Sequence, residues 1–359
     1  MDNWQPRAAG TLIGSMPHTD PDSAIDLVLK AVPEVPAWPQ LSSIHAEQMM
    51  VQYLEGLPGV RYEGDRLSFA AESADFEADF YAFYEAYLAV SEGAQDVASS
   101  RFQMGKETAR TFFRFLEKLR NVAGLKAVKG QVVGPFTLLS GLKDEKERLL
   151  LYDERWQDLV IKLVAMKAAW QVHHLSQFGC PVIVFMDEPA LAGYGSSAFI
   201  SVTGELILGM LREVADMIHS RGALAGIHVC ANTDWGLVFD SGIDVVNFDA
   251  YSYFDRFVLY RDGLESFLSK GGIVAWGIVP TNNPEILEQE TAESLAQRWL
   301  NSVQTIVGEH MPLSRLLTQS LFTPSCGCGS LPQHAAEYVL TLTRELSQIM
   351  RCRLEQSQV

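Results

Sequence analysis

The chain of 359 residues is 48% hydrophobic and 20% charged, with 27 glycines and 15 prolines, proportions of a folded globular protein rather than a disordered or fibrous one. Its 28 basic and 44 acidic residues leave a formal charge of −16. That balance lacks the basic footprint nucleic acid requires and disfavours an anionic membrane surface.

No apolar run reaches the roughly 18 residues of a membrane span. The opening Met1-Asp2-Asn3-Trp4-Gln5-Pro6-Arg7 lacks the basic start and apolar stretch of a secretory signal, so a cytoplasmic protein is expected. Five cysteines, at 180, 230, 326, 328 and 352, are too sparse for a disulfide scaffold. In a reducing compartment, Cys clustered with His points to a metal.

Short apolar runs alternate with longer amphipathic stretches. Candidate strands fall at 12–15, 35–38, 127–133, 182–186, 224–229, 245–248, 273–277 and 317–322. Most are continuous apolar runs, as a parallel sheet covered on both faces demands. Helical patterns lie between them, for example at 24–31, 155–178, 203–221 and 291–308. Eight alternations predict an α/β fold, a (β/α)8 TIM barrel forming one domain over 1–359. The rival is a doubly wound open sheet, but no Gly-x-Gly-x-x-Gly follows the first strand.

The gap between the second and third strands, about 55–122, reads as an insertion covering one barrel mouth. It contains a hairpin over 60–70 that turns at Glu63-Gly64-Asp65, and a helix over 75–90. The aromatic stripe of that helix (Phe76, Phe80, Phe83, Tyr84, Tyr87) is read as core.

Active sites of such barrels form at the C-terminal ends of the strands. The predicted strands end in Gly14-Ser15-Met16-Pro17, Gly134-Pro135, Asp187-Glu188-Pro189, His228-Val229-Cys230, Asp249 and Pro324-Ser325-Cys326-Gly327-Cys328. His228 and Cys230, two residues apart on a strand, share one face. Zinc favours N and S donors in a tetrahedral array, so these two, with Cys326 as third donor and either Asp249 as fourth or that corner left open for substrate, form the candidate metal set. Cys328 is the alternative to Cys326. Asp187 is assigned to a substrate ammonium, and Gly14 and Ser15 to a carboxylate through backbone N–H and hydroxyl groups. Glu188 belongs to the same substrate-binding set, pointing the other way and bracing the loop. His18 is kept as a lesser candidate at the mouth. Trp38 and Trp276 are placed at strand ends, either walling the pocket or packing. His173 and His174 are read as surface or packing residues.

Leu12-Ile13-Gly14-Ser15-Met16-Pro17, Val128-Lys129-Gly130 through Gly134-Pro135, Asp187-Glu188-Pro189-Ala190-Leu191, His228-Val229-Cys230 and Pro324-Ser325-Cys326-Gly327 occur in that order. The set resembles the catalytic barrel of cobalamin-independent methionine synthase, in the superfamily that includes uroporphyrinogen decarboxylase. The resemblance implies zinc held by His228, Cys230, a carboxylate and Cys326, with homocysteine bound as thiolate and methylated to methionine. It also implies that Asp187 takes the substrate amine, and Ser15 with its neighbouring backbone the carboxylate.

Several positions depart from the family pattern. One barrel is present where the classical plant and bacterial enzyme has two, and Asp249 stands where the family has glutamate. The tryptophan that lines the folate site has no counterpart in Phe136-Thr137-Leu138-Leu139-Ser140-Gly141, and Trp38-Pro39-Gln40-Leu41-Ser42-Ser43 replaces a Gly-Glu motif. Thr281-Asn282-Asn283 replaces a proton-donating histidine. The metal-and-thiol half is retained and the folate half is not, so the expected donor is a methylated corrinoid, on its own or on a partner protein. Methyl–cobalt cleavage needs no acid for the leaving group. Two other readings are a uroporphyrinogen decarboxylase-like enzyme and a non-catalytic zinc protein that partners a corrinoid protein.

Overall fold

The computed structural model describes residues 4–63, 66–70, 74–309 and 311–357. Its strands are β1 (Ala9–Gly10), β2 (Ser15–Met16), β3 (Gln40–Leu41), β4 (Val60–Glu63), β5 (Arg66–Phe69), β6 (Val128–Val133), β7 (Val182–Asp187), β8 (Leu224–Val229), β9 (Val245–Phe248), β10 (Ile273–Val279) and β11 (Ser320–Pro324). Seven of them form a parallel sheet in the order β1-β11-β10-β9-β8-β7-β6.

The ring closes through two irregular staves. After β1, Thr11 N donates to Phe322 O (3.0 Å). The chain then leaves β11 and pairs as β2 with β3, where Gln40 N also donates to Gly14 O (3.0 Å). The stretch leading into β3 joins β6, since Trp38 N donates to Lys129 O (3.0 Å) and Lys129 N to Pro36 O (2.9 Å). The fold is a (β/α)8 barrel.

The first two staves differ from expectation. The predicted strand at 12–15 is split into β1 and β2, and the predicted strand at 35–38 survives as a single bridge at Ala37 followed by β3. Gly14 explains the split: its φ is +147°, and a Cβ there would lie 2.7 Å from the Gln131 side-chain nitrogen. The stave bends to let that glutamine through. The last strand begins at Ser320 rather than 317, because Leu313–Thr318 is helical and buries Leu316 and Leu317.

Along each strand, alternate residues face the barrel interior. Ala9, Ile183, Phe185, Val245, Ile273 and Leu321 form the apolar lower core. Two residues further along, the same faces carry Asp187 after Phe185 and Asn247 after Val245, while Gly226 is followed by His228 and Leu321 by Thr323. Phe185 fills the space left by Gly226, where a Cβ would lie 2.2 Å from its ring. Period two therefore delivers polar groups to the C-terminal mouth.

The outer faces pack against helices, including Pro21–Ala31, Glu154–Leu175, Gly204–Ser220 and Gln333–Gln356. Glu154–Leu175 is buried almost all round, because the insertion lies over its outer side. Trp156 meets Phe76 (5.4 Å between ring centroids) and Phe69 (5.8 Å). Phe76 and Phe83 are buried, and Phe80, Tyr84 and Tyr87 pack against the core, as read from the sequence. The hairpin is β4–β5 and the aromatic helix is Ala74–Ser91; the predicted turn residues Gly64 and Asp65 lie outside the described residues.

Candidate metal centre

His228 and Cys230 leave the end of β8 on one face, and Cys326 follows β11. The imidazole nitrogen and the two sulfurs lie within 4.8 Å of one another, the one such grouping among the described residues. His228 Nδ1 hydrogen-bonds to Asn247 Oδ1. The Asn247 amide is itself oriented, since its Nδ2 donates to Ala275 O (2.7 Å) and Thr323 Oγ1 (2.8 Å). Asn247 can therefore only accept, so Nδ1 carries the ring proton and Nε2 presents a lone pair. Nε2 is buried with no hydrogen-bond partner.

This chemistry fits a zinc ion. Bond lengths of about 2.3 Å to sulfur and 2.0–2.1 Å to nitrogen put tetrahedral ligands about 3.5–3.8 Å apart. The observed spread therefore closes with a shift of about half an ångström by each of two side chains. The electrostatics agree. The nearby Cys326 thiol and His228 ring pull the Cys230 thiol well down, and Cys230 in return pushes Cys326 up. Burial works against a charged His228, but contact with Cys230, the charge of Asp187 and the Asn247 bond outweigh it and raise the imidazole.

Asp249 and Cys328 fall outside this grouping. Asp249 is the N-cap of Ala250–Phe257: Oδ1 accepts from Ser252 N (2.8 Å) and Oδ2 from Asn282 (3.2 Å). Cys328 is 3% exposed within the apolar core, and burial pushes its thiol up to about 12. The described residues thus supply three donors, which leaves a tetrahedral ion one unfilled corner.

A cavity of about 430 Å³ opens on the centre, lined among others by Ser15, Gln40, Asp187, His228, Cys230 and Cys326. Asp187 Oδ1 is buried without a partner, and burial raises this carboxyl to about 6 against the pull of His228 and Lys129. Ser15 O accepts from Cys328 N (2.8 Å), and Ser15 Oγ from Gly329 N (3.3 Å), which fastens the cysteine loop to the first stave. Gly14 acts in the bend rather than on the wall. Glu188 turns away from the cavity, with Oε1 accepting from Phe136 N (2.9 Å) and Oε2 from Thr137 N (2.8 Å) and Thr137 Oγ1 (2.6 Å). It caps the helix Pro135–Gly141 and braces the loop, and its placement in the substrate-binding set is not what the geometry shows.

Trp38 and Trp276 are packing residues, Trp38 against Phe112 (4.9 Å) and Trp276 donating to Ser320 Oγ (2.8 Å). His18 is buried away from the cavity wall, and His174 meets Trp170 edge to face (4.5 Å between ring centroids). Sequence reasoning passed over Asn247, Gln40 and Lys129. Asn247 carried a signal, a polar residue in register with His228 inside an otherwise apolar strand. Lys129 is fully buried under the mouth, with Nζ donating to Ile13 O (2.6 Å) and lying 4.3 Å over the Phe185 ring.

No protein-family model and no curated protein matches the chain. Among solved structures, it is similar to a GH20 catalytic module of the pneumococcal exo-β-D-N-acetylglucosaminidase (10% identity, 98% of this chain and 89% of that one, TM-score 0.48). It is also similar to the GH113 β-mannanase of Alicyclobacillus acidocaldarius (9% identity, 97% of each chain, TM-score 0.46). A broad-specificity GH5 endoglucanase from a Clostridium matches over 65% of this chain and 85% of its own, at 14% identity and TM-score 0.31. Values this low carry no argument about chemistry.

Proposed function

We propose that the chain is an enzyme, a zinc-dependent methyltransferase acting on a thiol, with homocysteine as acceptor and a methylated corrinoid as donor. The observation that carries this reading is the convergence of His228 Nε2, Cys230 Sγ and Cys326 Sγ at a cavity, with a corner left for a ligand. Bound there, zinc would keep the acceptor sulfur as a thiolate at neutral pH. The family resemblance of the motifs supports the same assignment.

The chain's own residues bind and orient the acceptor. Asp187 Oδ1 offers an unpartnered acceptor to its ammonium group, and the loop fastened by Ser15 borders the cavity beside it. At the position of the family's proton donor, Asn282 is engaged with Asp249, which suits a donor whose leaving group needs no proton. No helix among the described residues is long and apolar enough to cross a membrane, and a cytoplasmic setting would keep both cysteines reduced.

The alternatives fit less well. A decarboxylase of polycarboxylates needs cations, and among the described residues no Lys or Arg lines the cavity. A purely structural zinc would be closed by a fourth protein ligand, and the described residues bring together three.

Metal analysis of the purified protein beside Cys230→Ser and Cys326→Ser tests the centre: about one zinc per chain, lost in either variant. Zinc retained in both ends the proposal. Mixing the protein with methylcobalamin and homocysteine should change the cobalt absorbance as methionine forms. Turnover with methyl-folate and none with the corrinoid would overturn the donor assignment.

A further inference from the structure

Cys326 is out of phase with the strand that delivers it. Along β11, Leu321 belongs to the inner core, and Thr323 Oγ1 meets the Asn247 amide inside the barrel (2.8 Å). Alternation puts Ser325 next on that face and turns Cys326 toward the helices. The structure reverses this order. Cys326 lines the cavity, whereas Ser325, only 1% exposed, is not among its described lining residues. Ser325 Oγ is drawn instead to the chain just past β10, where it accepts from Thr281 N (3.1 Å) and shares a hydrogen bond with Thr281 Oγ1 (3.0 Å).

Two features of β10 put that clasp within reach. Its pairing with β11 slips by one residue between Gly277 and Val279, and such bulges re-aim side chains beside active sites. Gly277 supplies the room, since a Cβ there would lie 2.9 Å from Ser325 Cα and 3.0 Å from Pro324 O. Ser325 N still reaches Val279 O (2.8 Å). Beyond the ligand the chain is caught again, by Ser15 at Cys328 and Gly329, and by Ser42 Oγ donating to Gly329 O (3.0 Å). Cys326 and Gly327 are the span between these two anchors. The side-chain part of the near anchor is one hydroxyl pair.

We propose that Ser325 and Thr281 are positioning residues for the metal ligand Cys326, their clasp turning the segment so that the cysteine rather than the serine faces the ion. This rests on reading His228, Cys230 and Cys326 as a metal centre. A thiolate is one of zinc's usual protein ligands and a serine hydroxyl is not, so the choice between adjacent residues decides whether the third donor exists. Untied, Ser325 and Cys326 would compete for the place at the mouth. Part of the population would then offer zinc two donors instead of three.

The test is zinc competition against a chromogenic chelator, with the absorbance of the cobalt(II)-substituted protein, whose sulfur-to-metal band grows with each bound thiolate. Wild type should show the two thiolates of Cys230 and Cys326. Ser325→Ala removes both ties and should lose about tenfold to a hundredfold in zinc affinity, the usual weight of an outer-shell partner, as the band falls toward that of one sulfur. Thr281→Val keeps the backbone tie and should lose less, and Thr281→Ser, which restores the hydroxyl, should match wild type. Ser241→Ala is the control, deleting a buried hydroxyl before β9 at the other end of the barrel (Oγ to Val238 O, 2.7 Å) and leaving zinc affinity unchanged. If Ser325→Ala and Thr281→Val keep wild-type affinity and the full band, the inference is overturned, even where both melt lower. Thr281→Ser falling as far as Thr281→Val also refutes it, and this pair decides alone if Ser325→Ala does not fold. Wild-type protein that binds no zinc, or binds cobalt without a thiolate band, removes the metal reading and the clasp's role with it.

Discussion

Asn247→Leu removes the group that orients the proposed ligand His228 while leaving the ligand itself in place. Three hydrogen bonds disappear: the one from His228 Nδ1, and those from Nδ2 to Ala275 O (2.7 Å) and Thr323 Oγ1 (2.8 Å). Without an acceptor at Nδ1, the neutral ring is free to carry its proton on Nε2, and that proton must leave before a metal can enter. Outer-shell partners of this kind are worth about tenfold to a hundredfold in metal affinity, or about 1.4–2.8 kcal/mol. Asn247→Asp keeps the acceptor and should hold zinc at least as tightly as the wild type. The assay is competition against a chromogenic chelator of known zinc affinity, run below the melting temperature of each variant, because unpaired buried groups also cost about 1–3 kcal/mol of stability each. The reasoning fails if Asn247→Leu binds zinc as tightly as wild type, or if Asn247→Asp falls as far as Asn247→Leu.

Three further outcomes follow from the geometry. Cys328→Ala should keep its zinc, and the count of thiols that a disulfide reagent titrates in the folded protein should not drop, because the Cys328 thiol is buried and raised to about 12. Burial lifts the Glu188 carboxyl to about 7, so between about pH 5 and 7 the folded state holds a proton that the unfolded chain has released. Stability of the metal-free protein should therefore fall as pH rises through that window, with Asp187 adding in the same direction, and Glu188→Gln should flatten the slope in urea melts; equal slopes would contradict this. Glu47→Ala leaves the Thr111 and Leu41 amides without their acceptor, and should lower unfolding free energy by about 1–3 kcal/mol, read from the urea midpoint.

How much of this was legible beforehand depended on whether the controlling interaction was local. Strands β6 to β10 are buried on both faces, so apolar runs marked them within a residue or two. The first two staves were blurred because their course is set by Gln131, 93 residues from its contact at Trp38, and Lys129, 116 residues from its contact at Ile13. The pairing of His228 with Cys230 was readable from strand period alone, and the approach of Cys326 from its place after the last strand. Asp249 was misjudged by the same logic. Its place at a strand end put it among the donors, but the strand has ended by Phe248 and the residue serves as a helix cap. A carboxylate just before a helix is a capping residue at least as often as a ligand, and that competing demand won. Glu188 illustrates the same competition, drawn off by the open amides of Pro135–Gly141.

The change of character along the barrel axis carries a consequence for how such a molecule can be altered. Below the mouth, the layer containing Ile183, Phe185, Val245 and Leu321 is apolar apart from Lys129, whose amine reaches Ile13 O and Gln131 Oε1, and the groups that line the cavity sit one pleat higher. Exchanging a handful of strand-end side chains would therefore replace the reagent set without unpicking the keystone beneath it. A designer, or a lineage, could retool this vessel by changing its lip and leaving its walls alone.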